Sequence, residues 1–430
     1  MGSMLYYVSQ LSPYWQLMLF LIGAVYSLWL YNFVISIRGF APPAQLAKAV
    51  HQRKFVILVP ACNEEKVIAS LLSSLKQQQY PSDKFDVVVS CDNCTDRTAD
   101  ITRSFGYRAL IRHNKVLKGK TYNMRWAMEQ IDMEDYEALV MVDADNLVKE
   151  DFLDRMNDFL EAYPEADAVQ GYIDTKNVQD SWITQVSALS YWQMNRLWQL
   201  ARFRWGLSAA LGGTGLAIRC SCIKRIGWNL ESLTEDLEFT ASLVTEGSRV
   251  HWNHHAIVYD EKPLKHRASF RQRTRWIQGH YWVLLKYGPK NLLLFLRTRS
   301  LRHLDLFLYL ASPVRTVVVY FIMLVGLIIP IVQFALQPEW QFQQTITATW
   351  MLFLILQAAV LTIAGPSLHF GKLTLKYVPL LFLYLWFGLT WIPVMFKAVF
   401  LVRRQNDWVK TEHTRNMGMA DLYGNPQQKN

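Results

Sequence analysis

Apolar residues are spread unevenly along this chain. They run almost unbroken from Tyr14 to Ile37, stop at Arg38, thin out through the middle, and return in the last third. The first run is long enough to cross a bilayer. It lacks a basic start and a small-residue cleavage site, so it reads as an uncleaved helix with Arg38 on the inner side. After a linker at 41–53, residues 54–290 alternate strand and helix signals. Phe55 to Pro60 and Ala138 to Val142 are short, wholly apolar runs, Phe85 to Ser90 is apolar apart from Asp86 and Ser90, and all three predict strands. Asn63-Glu64-Glu65 opens a predicted helix with Val67, Ile68, Leu71, Leu72 and Leu75 at helical spacing, and Thr98 to Phe105 predicts a second. Strands without alternation are covered on both faces, so the prediction is an α/β domain with a mostly parallel sheet between helices. Ligands of such sheets bind beyond the carboxyl ends of the strands.

Residues 266–300 mix arginines with Phe270, Trp276, Ile277, Tyr281 and Trp282, a pattern expected of amphipathic helices at a membrane surface. Apolar spans follow at about 314–334 and 346–366, and a third at 377–402 is interrupted by Gly388 and Pro393. The expected division is an N-terminal transmembrane helix (1–40), a catalytic domain (41–265), interface helices (266–312), a C-terminal transmembrane region (313–402) and a polar tail (403–430). One early span and three late ones would leave Arg403 and Arg404 outside, against the positive-inside trend. Either 377–402 is bent or re-entrant, or part of 303–313 also enters the bilayer.

The net charge of +10 is concentrated beside the apolar spans, at Arg297, Arg299, Arg302, Lys372, Lys376, Arg403 and Arg404. That placement points to membrane lipids as the partner of the positive charge, not to nucleic acid. Five cysteines, an odd number, argue against a disulfide framework. Cys91 and Cys94 have Cys-x-x-Cys spacing but no second pair to complete a zinc site, so they read as small buried residues.

Acidic clusters fall where strands end. Asp143-Ala-Asp145 follows an apolar strand, and two hard oxygen ligands there suit Mg²⁺ or Mn²⁺ held against a diphosphate; a solvated acidic loop is the alternative. At Asp92-Asn93-Cys94-Thr95-Asp96, Asp92 suits a hydrogen bond from a uracil N–H, while Asp96 or Thr95 suits a helix cap. Lys118-Gly119-Lys120 precedes a helix carrying Asn123 and offers backbone and ammonium to phosphate, or is a basic surface loop. Thr234-Glu235-Asp236 either caps a helix or supplies a general base, Asp236, with Glu235 beside it in the catalytic pair. Gln272-Arg273-Thr274-Arg275-Trp276 offers guanidinium forks for a diphosphate and an indole for a sugar face, or anchors an interfacial helix. His251, His254 and His255 read as a strand-end surface cluster, with metal binding as the alternative. Gly212-Gly213-Thr214-Gly215 is a turn or a point of close backbone approach.

Asp92, Asp143-Ala-Asp145, Thr234-Glu235-Asp236 and Gln272-Arg273-Thr274-Arg275-Trp276, in this order, resemble the membrane-integrated family 2 glycosyltransferases, which include processive cellulose, chitin, hyaluronan and poly-N-acetylglucosamine synthases. The resemblance covers roughly residues 54–290. The tail from Trp408 to Arg415 also resembles a post-membrane segment of such synthases. It implies a cytosolic GT-A domain in the cell membrane and an inverting transfer from a UDP-sugar. The acceptor would be a growing polysaccharide or a lipid-linked sugar, and an accessory protein could complete secretion. By matched position, Asp92, Lys120 and Asp143 would hold the nucleotide, and Asp143 and Asp145 the diphosphate and metal. Asp236 would be the base, Gln272, Arg273 and Arg275 would face the donor or diphosphate, and Trp276 the acceptor. Asn93-Cys94 departs from the family's usual Gly-Ser after the aspartate.

Overall fold

The computed structural model describes residues 13–321, 352, 356, 359–405 and 416–423. Strands β1 (Phe55–Ala61), β2 (Phe85–Asp92), β3 (Arg108–Arg112) and β4 (Ala138–Met141) pair in parallel. β5 (Leu147–Val148), β6 (Ala168–Thr175), β7 (Leu216–Arg219) and β8 (Val250–Asp260) complete one sheet in the order β3-β2-β1-β4-β7-β6-β8-β5. β6 pairs with β8 in parallel, whereas β7 runs antiparallel to β4 and β6, and β5 antiparallel to β8, so the sheet is mixed, with the expected parallel pairing in the majority and two strands reversed.

Why these runs are strands is visible in how they alternate. Val56 and Leu58 of β1 pack into one core, with Val88 of β2 and Leu139 and Met141 of β4. Phe55, Ile57 and Val59 pack into the other, with Val87, Val89, Ala138 and Val140. Successive side chains point to opposite faces, and both faces are covered, so no position needs a polar residue. Helices α1 (Pro13–Ile37) and α2 (Ile68–Lys76) precede β2, and α3 (Thr98–Ser104) and α4 (Lys120–Glu129) follow it. α2 covers one face of the sheet together with α5 (Phe152–Ala162). The other face is covered by α4, α6 (Trp182–Gln193), α7 (Cys220–Ile226) and α8 (Glu235–Thr245). α2 starts later than expected. Asn63 lies in the left-handed region at φ 56° and its Oδ1 accepts the Thr95 N–H, so it closes a turn and does not cap the helix.

Residues 266–300 form mostly one helix, α9 (His266–Thr298), 33 residues long and followed by α10 (Leu301–Leu310). α9 is clamped, not merely laid on a surface. Val283 packs with Leu237, Ala241 and Leu306, and Ile277 and Tyr281 pack with Val394, Met395 and Ala398. The latter belong to a 24-residue apolar stretch, Val378–Leu401, built from a short 3₁₀ turn, α12 (Leu381–Leu389) and α13 (Trp391–Leu401), with α11 (Gly365–Phe370) before it. Among the described residues this stretch is long and apolar enough to cross a membrane. So is the pair Leu301–Leu310 and Ser312–Phe321, bent by 55°, if it counts as one broken span. The expected spans near 314–334 and 346–366 lie mostly outside the described residues, as does the tail at Trp408–Arg415.

The ends of the apolar elements are tied to the α/β domain. Arg196 donates to the carbonyls of Gly39 (3.1 and 3.0 Å) and Ala41 (3.0 Å), which fixes the end of α1 to the catalytic domain. After α13, Gln278 donates to the Arg404 carbonyl (2.6 Å), and Gln405 accepts the Leu233 N–H (2.9 Å). Arg404 and Gln405 therefore follow α13 in contact with α9 and with the residues that lead into α8.

Candidate active site

β1, β2 and β4 are parallel, so their carboxyl ends share one edge of the sheet, and the acidic clusters gather there. Asp92 is the last residue of β2 and is 5% exposed. Its Oδ1 accepts from Arg112 Nη1 (2.6 Å) and Asn93 Nδ2 (2.9 Å), and the Gly119 N–H also donates to the carboxylate. Burial raises its pKa, and Arg112 works against that rise. Gly119 holds φ 102° at the start of α4, a conformation that suits glycine. The next residue, Lys120, reaches across the pocket. Its ammonium pairs with Asp143 Oδ1 (2.6 Å) and Glu235 Oε1 (3.2 Å) and donates to the Gly213 carbonyl (2.6 Å). Burial disfavours that charge, but Asp143 and Glu235 together hold the ammonium above the ordinary lysine range.

Asp236 completes the group. A Cβ on Gly213 would sit 3.2 Å from Asp236 Oδ2 and 3.5 Å from Lys120 Nζ. Burial first, and then Glu235, push the Asp236 carboxyl up to about 7, with Lys120 and the Leu237 N–H opposing. That value suits a general base near neutral pH. Thr234 stands at the helix start, but its hydroxyl bonds to Ser232 Oγ (2.9 Å) and caps no helical N–H. The glycine-rich loop is a built feature. Gln170 accepts from the Gly212 N–H (2.8 Å) and donates to the Thr214 carbonyl (2.9 Å), while Gly213 and Gly215 hold φ 79° and 60°.

Asp143 and Asp145 lie in a turn and not on an extended strand, so alternation does not set their directions. Burial raises the pKa of Asp143, and Lys120 opposes that. Among the described residues no three His, Cys, Asp or Glu side chains form a ready metal cluster. Two hard carboxylate ligands do fit Mg²⁺ or Mn²⁺, which commonly completes its shell with phosphate oxygens and water. Lys120 is shared by Asp143 and Glu235 with Asp236 close by, so the pocket is short of positive charge, the condition a divalent cation would relieve.

α9 meets the start of α8 by one face. A Cβ on Gly279 would lie 2.4 Å from Thr234 Oγ1, so α9 touches the start of α8 there. Gln272, Arg275 and Trp276 precede Gly279 by seven, four and three residues and share that face, each half-buried. Arg273 points elsewhere. It is 2% exposed, lies over the rings of Phe387 (4.3 Å) and Trp391 (4.8 Å), and donates to Thr390 Oγ1 (2.9 Å). The diphosphate role expected for it gives way to an anchor on α12 and α13, because the helical turn carries it away from the face of Gly279. The histidines are not a strand-end surface cluster. They lie within β8, where His251 is buried among Phe159, Tyr163 and Phe203. Cys91 and Cys94 are free thiols, and Cys94 Sγ accepts the Asn63 N–H (3.3 Å). Arg112 and the charged set at Asp260, Glu261, Lys262 and Lys176 escaped the sequence reading, although three charged residues directly after a buried strand were a signal.

The family described as glycosyltransferase-like family 2 matches residues 51–279, more than half of the chain. A probable glycosyltransferase of Bacillus subtilis, YdaM, is 26% identical over 384 residues, 84% of this chain and 86% of its own length. Beta-monoglucosyldiacylglycerol synthase of Nostoc sp. is 27% identical over 256 residues, 58% of this chain and 54% of its own. Poly-beta-1,6-N-acetyl-D-glucosamine synthase of Staphylococcus epidermidis is 24% identical over 288 residues, 66% of each chain. The chain thus spans most of the first relative and between half and two thirds of the other two. Among solved structures, the mannosyltransferase PcManGT of Pyrobaculum calidifontis, in complex with GDP-Man and Mn²⁺, matches with a TM-score of 0.59 at 17% identity. It covers 90% of this chain and 97% of its own, a likeness of fold.

Proposed function

This chain belongs to the family 2 glycosyltransferases, and from that premise we propose that it is an inverting membrane enzyme that transfers a hexose or N-acetylhexosamine from a UDP-sugar to a growing β-linked polysaccharide, processively and coupled to secretion. The observation that carries the reading is the convergence on Lys120: one ammonium bridges Asp143 and Glu235, with Asp236 across Gly213. Donor side and base side are thereby held a few ångströms apart, as a single displacement requires. Asp236 takes the proton of the acceptor hydroxyl as that oxygen attacks the anomeric carbon, and UDP leaves from the opposite face. Asp92, steadied by the Gly119 N–H, accepts the N–H of the uracil base. Lys120 and Arg275 balance charge that develops on the departing diphosphate. Gln272 orients the donor, and Trp276 offers its ring to the acceptor. A divalent ion held by Asp143 and Asp145 would neutralise the diphosphate further.

The membrane part of the reading rests on α1, 25 residues and so roughly 37 Å long, and on the apolar stretch Val378–Leu401 with Phe382, Trp386 and Phe400 exposed. The tie of Arg404 to Gln278, beside the α/β domain, together with the positive-inside trend, supports a cytosolic catalytic domain in a multi-pass protein of the cell membrane. A second reading is single addition to a lipid acceptor, supported by the likeness to the diacylglycerol glucosylating enzyme of Nostoc sp.. The test is UDP release by purified full-length protein with a panel of UDP-sugars and membrane lipids, followed by product sizing. A ladder of lengths supports polymer synthesis. A single lipid-bound sugar supports the second reading, and no UDP release with any donor refutes both.

A further inference from the structure

The Asp143-Ala-Asp145 turn is gripped at both ends by buried side chains that the transfer chemistry does not use. At one end the Asp143 N–H donates to Thr214 Oγ1 (3.1 Å), whose hydroxyl donates to Asn146 Oδ1 (2.5 Å). Asn146 Nδ2 in turn donates to Asp260 Oδ1 (3.1 Å), and Lys262 Nζ donates to Asp260 Oδ2 (2.5 Å). At the other end Lys176 Nζ donates to the Asp145 carbonyl (2.6 Å) and pairs with Glu261 Oε2 (3.0 Å). Thr214, Asn146, Lys176 and Lys262 are each 4% exposed or less. Lys262 also stands 3.3 Å over the Tyr191 ring.

The arrangement has a direction. Each group in the Thr214 chain donates once toward Asp260, so removing one hydroxyl breaks the chain at two bonds. The two ion pairs are neutral as a set, and the grip therefore adds no charge to the pocket. Thr214 also belongs to the glycine loop whose Gly213 separates Lys120 from Asp236, so the same residue ties the turn to the base side. Two buried ion pairs are a poor route to stability, whereas outer contacts that orient ligating carboxylates are a frequent need of metal and phosphate sites.

We propose that Asp260, Glu261 and Lys262 at the end of β8, acting through Asn146, Thr214 and Lys176, form a buried brace that sets the spacing of the Asp143 and Asp145 carboxylates. Its members are positioning residues for the diphosphate and its cation. The inference rests on the glycosyltransferase reading above and adds how the donor site acquires its geometry.

The experiment uses full-length protein in detergent. Mn²⁺ binding in the presence of UDP is followed by the paramagnetic resonance of free Mn²⁺, alongside melting temperature and UDP release at varied Mn²⁺. Thr214→Val is expected to weaken Mn²⁺ binding by about tenfold or more while the melting temperature stays within a few degrees. Thr214→Ser, which keeps the hydroxyl, restores binding to near the wild-type value. Asp260→Asn, which keeps the shape but loses the charge, falls between them and is decisive if the valine variant does not fold. Wild-type Mn²⁺ binding in Thr214→Val and Asp260→Asn overturns the brace, as does equal impairment in the serine and valine variants. A wild-type protein that binds neither Mn²⁺ nor UDP and releases no UDP refutes the glycosyltransferase reading and removes the brace with it. Normal wild-type activity with indifferent variants refutes the brace alone.

Discussion

Arg273 separates two accounts of α9, because sequence order puts it among the donor contacts and the structure puts it against the apolar helices. Consider Arg273→Met. Two ring faces, Phe387 at 4.3 Å and Trp391 at 4.8 Å, are worth roughly 1–2 kcal/mol each for a desolvated guanidinium. The bond to Thr390 adds about 1.5–3 kcal/mol as a hydrogen bond from a charged donor. Against this stands the cost of burying a cation, several kcal/mol. That cost is visible in burial alone pushing Arg273 down to about 10. The terms nearly cancel. Methionine keeps much of the volume and needs no hydrogen bonds, so the variant should lie within about 1 kcal/mol of wild type. Arg273→Ala leaves a cavity against both rings and should cost about 2–4 kcal/mol. The assay pairs thermal unfolding in detergent with the KM for the UDP-sugar. The anchor predicts an unchanged KM for the methionine variant, within about twofold. A KM raised tenfold or more at unchanged stability would show that Arg273 touches the diphosphate after all.

Further predictions follow from the pocket and the packing around it. Asp236 is pushed up to about 7, so turnover should fall as pH drops through 7, read from a pH–rate profile at saturating donor. Its raised value also means that the folded state holds this proton more tightly than the unfolded chain does. Its contribution to stability is therefore full below about 4 and lost as pH rises toward 7. Asp236→Asn should accordingly be more heat-stable than wild type at pH 8, by a margin that shrinks toward pH 5. Gly213→Ala places a methyl 3.2 Å from Asp236 Oδ2 at φ 79°, and UDP release should drop at least about tenfold with the fold retained by circular dichroism. Gly39→Ala places a methyl 2.3 Å from the Arg196 carbonyl oxygen, and its next neighbours, Arg196 C and Leu197 Cα, are backbone too. Thermal unfolding should show a loss of about 1–3 kcal/mol, while Gly23→Ala, with nothing within 4 Å, should show none.

Much of the domain was legible because burial on both faces writes itself into sequence as unbroken apolar runs, as in Phe55–Ala61 and Ala138–Met141. Its parallel pairing could be anticipated from helices between strands. The reversal at β7 could not, because four residues beside a glycine loop carry no sign of direction. Asn63 looked like a helix start because Asn caps helices and closes turns with the same side-chain oxygen. The acidic motifs were legible as local chemistry, but their meeting through Lys120 depends on loops from four elements and has no local signature. Asp260, Glu261 and Lys262 went unremarked because sequence alone does not reveal that neighbouring charges are buried in pairs. Arg273 was misplaced for a related reason. A basic residue between two others looks like part of one patch until the helix turns it 100° away.

The central claim is that side chains from distant stretches make one transfer site with Asp236 as its base. Asp236→Asn tests it most directly, by UDP release with the best donor and by UDP binding measured calorimetrically on the same preparation. The account predicts that UDP release falls by about 10³-fold or more while UDP binds with near wild-type affinity. Transfer at the wild-type rate in that variant would contradict it, and so would loss of UDP binding together with activity.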